Sequence, residues 1–71
     1  MVSMEDHVRA GLVFAEQIDG YWALSDQLRG LMFAGHGPGG DAGLEDVLRA
    51  IAARATAAAD AVAVIAQPRD S

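Results

Sequence analysis

Residues 44–65 read LEDVLRAIAARATAAADAVAVI. Within them Leu44, Leu48, Ile51, Ala55, Ala58, Val62 and Ile65 follow one another at alternating steps of four and three. That spacing brings side chains to one face of an α-helix and commits the face to another helix. Glu45, Asp46, Arg49, Thr56 and Asp60 gather on the opposite side and thin out toward the C-terminal half, where Ala55 to Ala66 is almost all alanine and valine. A helix apolar on nearly every side asks for burial on more than one.

Upstream, Gly35-His36-Gly37-Pro38-Gly39-Gly40 cannot continue a helix, because glycine is entropically poor there and proline lacks an N–H donor and constrains its predecessor. Residues 35–41 therefore read as a turn with Asp41 as N-cap, and the second helix is expected from about Ala42 to Ala66. Glu45 and Asp46 near its start complement the helix dipole. Gln67-Pro68 ends it, leaving residues 67–71 as a tail that frays at Arg69-Asp70-Ser71.

The first helix is expected over about residues 4–34, capped by Ser3 with Asp6 three residues on, a shorter-armed version of the capping box. At about 100° per residue, Glu5, Arg9, Glu16, Asp19, Asp26 and Gln27 form one stripe. Met4, Phe14, Ile18, Tyr21, Trp22, Leu24, Leu28, Leu31 and Met32 spread over an arc of about 200° opposite, too wide for one neighbour. Gly11, Gly20 and Gly30 interrupt this helix at up to about 1 kcal/mol each relative to alanine. The preferred reading is that they allow close helix approach or mild bending, with Asp19-Gly20 the expected place for any kink or break; the alternative is two shorter helices, with Asp19 or Ser25 near a second start.

The fold expected is thus all-α: an antiparallel two-helix hairpin forming one domain over residues 1–71, completed to a bundle by oligomerisation or partner binding. A chain of 71 residues struggles to offset a backbone ordering cost of about 1–2 kcal/mol per residue by burial alone. It has no cysteine, which excludes disulfides and the commonest zinc sites. Association is the remaining remedy.

Charge narrows the partners. Ten acids face five arginines, with no lysine and a net charge of −5, a field that repels phosphate backbones and anionic headgroups. Arg9, Arg29, Arg49 and Arg54 are too dispersed for a basic groove, so nucleic acid is not an expected partner. Ala55 to Ala66 is about half the length needed to span a bilayer and carries Asp60 near its middle, so no membrane span is expected either. The opening Met1-Val2-Ser3-Met4-Glu5-Asp6 offers acid where a secretory leader needs base. The cytoplasm is the expected location, with a virion or leaderless secretion as alternatives.

No catalytic constellation emerges, and the chain is not expected to be an enzyme or to carry a cofactor or metal. Gly35, Gly37 and Gly40 match G-x-G-x-x-G, but a dinucleotide site needs a preceding strand, and Asp41 would repel the anion. His7 has neither a histidine nor a carboxylate three or four residues away, so no helical ligand pair forms; it reads as a boundary residue near a fraying helix start. The loop containing His36 and Asp41 is kept as the alternative, a small ligand- or metal-binding module.

The favoured function is a non-enzymatic protein–protein interaction module, a structural, accessory or scaffold subunit that pairs with itself or another helical protein. A regulator that masks a partner helix uses the same surface. The candidate interface comprises Phe14, Ile18, Tyr21, Trp22 and Leu28 on the first helix, and Leu44, Leu48, Ile51, Arg54, Ala55, Ala58, Val62 and Ile65 on the second. Tyr21 and Trp22 point about 100° apart, so one fills the hairpin core while the other reaches a second surface. Arg54 flanks the apolar seam, its guanidinium placed to reach an acid on a partner. Arg29 falls inside the apolar arc, positioned to pair across an interface or to snorkel to water.

Overall fold

A computed structural model of the chain describes residues 2–34 and 40–68, with side chains over 2–33 and 43–68. Two helices, α1 (Met4–Ala34) and α2 (Gly40–Ile65), pack against each other as an antiparallel hairpin. α1 has the expected bounds and is continuous through Gly20, so the alternative of two shorter helices is set aside. Ser3 caps it: its Oγ accepts the Asp6 amide at 3.1 Å. Ser25 Oγ donates to the Tyr21 carbonyl at 2.9 Å, so the hydroxyl is spent on the preceding turn rather than on starting a new helix.

α2 begins two residues earlier than expected. Gly40 and Asp41 already lie in the helix, so Asp41 is not its N-cap; glycine tolerates helical geometry at position 40 even though it does not favour it. Of the expected turn, residues 35–39, including His36, lie outside the described residues. At the other end the regular helix stops at Ile65, and Ala66 N still donates to Val62 O at 2.8 Å.

The chain ends meet. Val2 N donates to the Pro68 carbonyl at 3.1 Å, and His7 Nε2 donates to the Gln67 carbonyl at 3.0 Å. His7 is therefore half-buried and engaged across the hairpin rather than sitting at a fraying start. Gln67 and Pro68 are likewise tied back rather than loose, while residues 69–71 lie outside the described residues.

The seam on α1 runs from His7 through Ala10, Phe14 and Gln17 to Tyr21, Leu24, Leu28 and Leu31, at alternating steps of three and four. On α2 the covered line is Leu44, Val47, Ile51, Arg54, Ala58, Ala61 and Ile65. This corrects the sequence reading in part. Leu44, Ile51, Ala58 and Ile65 face α1 as expected, but Leu48, Ala55 and Val62 are exposed, and Val47, Arg54 and Ala61 take their places.

Arg54 explains the choice. Its Nη1 donates to Gln17 Oε1 at 3.0 Å, and its side chain lies over Gly20, where a Cβ would come within 2.9 Å of Nε. A half-buried guanidinium needs a hydrogen-bond partner, and the glycine leaves the room in which Arg54 can find one inside the chain. It does not reach outward for a partner's acid, as the sequence suggested.

The resulting particle is a rod of 56 × 14 × 12 Å with a radius of gyration of 16.2 Å, against about 11 Å for a compact domain of this length. Ala10, Val47, Ala58 and Ala61 are the buried apolar residues, and no large side chain among the described residues is fully covered. Gly20 and Gly30 should respond differently to alanine. Gly30 has nothing within 4 Å of an added Cβ, so Gly30→Ala should stabilise by about 0.5–1 kcal/mol, read from urea unfolding followed by circular dichroism. Gly20→Ala should gain measurably less, because Arg54 must give way; equal gains would disprove the close approach.

Candidate helix-docking face

The two sides of the hairpin differ. On one side a shallow groove is lined by Val2, Asp6, Arg9 and Val13 of the first half and by Ala57, Asp60 and Val64 of the second. Arg9 pairs there with Glu5 at 3.0 Å and lies 3.9 Å from Asp6. The sequence-predicted acidic stripe of α1, Glu5, Arg9, Glu16, Asp19, Asp26 and Gln27, is exposed throughout. Ion pairs this open contribute little to stability and keep the flank hydrated.

Since this groove takes the same flank from both helices, the remaining flanks share the other side. There α1 carries a second line at steps of four and three: Met4, Val8, Gly11, Ala15, Ile18 and Trp22, continued by Ser25, Arg29 and Met32. α2 answers with Leu48, Ala52, Ala55, Ala59 and Val62, followed by Ala66. Val8, Trp22, Leu48 and Val62 are 57, 62, 51 and 44% exposed. Two shallow hollows lie on this side, one around Ser25, Leu28, Arg29 and Met32, the other around Leu44, Glu45, Leu48 and Ala52.

On each helix this second line stands about 100° from the seam. Each helix therefore offers two apolar faces nearly at right angles, the arrangement of a helix with two neighbours in a four-helix bundle. The hairpin supplies one neighbour.

The aromatic pair divides as the residue spacing suggested. Tyr21 is half-buried at the seam, Trp22 points to the open side, and their rings meet edge to face with centroids 5.7 Å apart and planes at 82°. Of the candidate interface, Phe14, Ile18, Tyr21, Leu28, Leu44, Ile51, Ala58 and Ile65 are half-buried or buried between the helices or at their edge. Trp22, Leu48, Ala55 and Val62 are open. Sequence reasoning missed Val8 and Ala15, which the four-three spacing running back from Trp22 would have found.

Among the described residues no cluster of three His, Cys, Asp or Glu side chains forms, and no described helix is long and apolar enough to cross a membrane. The His36 and Asp41 side chains lie outside the described residues. Comparison with known proteins finds no matching family model, no similar curated protein and no similar solved structure.

The polar contact that sets which α2 face looks outward is testable on its own. Arg54→Ala and Gln17→Ala should each destabilise by about 1 kcal/mol. The double variant should lose less than the sum, with a coupling of about 0.5–1.5 kcal/mol in a thermal or urea double-mutant cycle. Strict additivity would mean that the contact does not form in solution.

Proposed function

We propose that this chain is a non-enzymatic protein–protein interaction module, a small structural, accessory or scaffold subunit that completes a helical bundle through its open apolar side. The observation that carries this reading is the exposure of Trp22, Leu48 and Val62 on the side to which both helices turn their second apolar line. Full burial of a large apolar side chain contributes about 1.5–3 kcal/mol. Three such residues approach the net stability of a small domain, about 5–15 kcal/mol.

The surface area supports the same reading. The chain exposes 5046 Å², whereas a compact monomer of its mass exposes about 4200 Å². The excess, about 800 Å², matches what each partner buries in a standard protein interface. The occupant of that surface is another helical element, from a second copy or from a different helical protein. The acidic flank remains in water and keeps the assembly from aggregating further.

Sedimentation equilibrium over a dilution series, with circular dichroism on the same samples, tests this. The chain should be a helical oligomer at tens of micromolar, and Trp22→Asp combined with Val62→Asp should weaken self-association or partner capture at least tenfold. A helical monomer at every concentration, with unchanged stability in the double variant, would overturn the reading.

A further inference from the structure

Building on the association reading, we infer that the occupant of the open side is a second copy of this chain, related by a two-fold axis parallel to the rod so that both turns lie at the same end. Two observations set this geometry: the level at which residues of the two helices face each other, and the charges on the open side.

Within the hairpin, Arg54 lies level with Gln17 and Gly20, so residues whose numbers sum to a little over 70 share a height along the rod. A two-fold axis along the rod preserves heights and sets α1 of one copy beside α2 of the other. The outermost members of the second apolar lines then meet level by level: Val8 with Ala66, Ala15 with Ala59, Trp22 with Ala52. Val8 and Trp22 each face an alanine, so the larger side chains do not collide, and the Ala15–Ala59 level lets the helices approach closely between them.

The next pair in the same series is Arg29 with Glu45. Arg29 is exposed on the open side, in the hollow shared with Met32, and no ion pair to it forms among the described residues. Glu45 borders the matching hollow on α2 and already holds Arg49 at 2.7 Å. A carboxylate has acceptor sites for a second guanidinium. The two-fold repeats the contact, giving two such pairs per dimer.

The competing arrangement, with the turns at opposite ends, sets α1 against the copy's α1 and brings Arg29 level with Val8 and Arg9. That would place two guanidiniums side by side, with the nearest acid, Glu5, about a turn away and already holding Arg9 at 3.0 Å. Opposite charge at its own level in one orientation and like charge in the other favour the first.

Charge exchange tests orientation as well as association. Arg29→Glu and Glu45→Arg should each raise the dimer dissociation constant about tenfold, because each homodimer then holds two like-charged pairs. An equimolar mixture of the two variants should form a heterodimer tighter than either homodimer, since both contacts become opposite in sign, and the double variant should recover self-association. Both substituted positions are on the exposed surface, and circular dichroism checks that the hairpin persists.

A nitroxide at Glu5→Cys supplies a second readout in a chain with no native cysteine. The proposed dimer places the two labels about 35 Å apart or less; turns at opposite ends place them about 45 Å apart or more. A dimer that is insensitive to charge exchange and shows the long distance would overturn the orientation while leaving the association reading standing. A chain that stays monomeric throughout would overturn the second copy as occupant, and the association reading would then be decided by the Trp22 and Val62 variants.

Discussion

Arg54 laid across Gly20, with its guanidinium on Gln17, governs how α2 is rotated about its own axis. If α2 turned by about 50° toward its neighbouring column, Leu48, Ala55 and Val62 would enter the seam and the hairpin would cover more of its own apolar surface. The cation instead enters and is satisfied, and those three side chains stay outside. A partly buried polar contact of this kind adds little net stability, yet it discriminates sharply between alternatives, because any register that separates Arg54 from its acceptor leaves a desolvated charge.

The same contact explains why the hairpin core is thin. Its most covered residues are Ala10, Val47, Ala58 and Ala61, small side chains that bring the axes close but remove little apolar area each. Larger ones, Phe14, Tyr21, Leu28 and Ile51, are only half-covered because two helices cannot enclose a ring or a branched chain from all directions. Two further helices at right angles to the present contact would close over them as well as over Trp22. On the proposed reading, the hairpin is half of a bundle cut along its length.

Much of this was legible in the residues. Ser3, the four-three spacing and the glycine run fixed both helices to within two residues, and the width of the apolar arc on α1 foretold that α2 would leave part of it uncovered. What could not be read was which of two overlapping columns of α2 faces α1. Leu44, Ile51, Ala58 and Ile65 belong to both, and they are completed either by Leu48, Ala55 and Val62 or by Val47, Arg54 and Ala61. Hydrophobicity favours the first set. The second wins because of a gap on the opposing helix at Gly20, and such a gap is a property of the pair, not of either strip taken alone. His7 escaped for a related reason, since its partner is a backbone carbonyl 60 residues away.

The edge-to-face contact between Tyr21 and Trp22 has an optical consequence. The chain holds one tyrosine and one tryptophan, adjacent in sequence, so excitation absorbed by the phenol passes efficiently to an indole standing in water. The emission colour of that indole is set by its solvation, and the seam leaves it hydrated. The molecule thus carries an intrinsic fluorophore that is blind to the closing of its own two helices and sensitive to whatever comes to lie upon them.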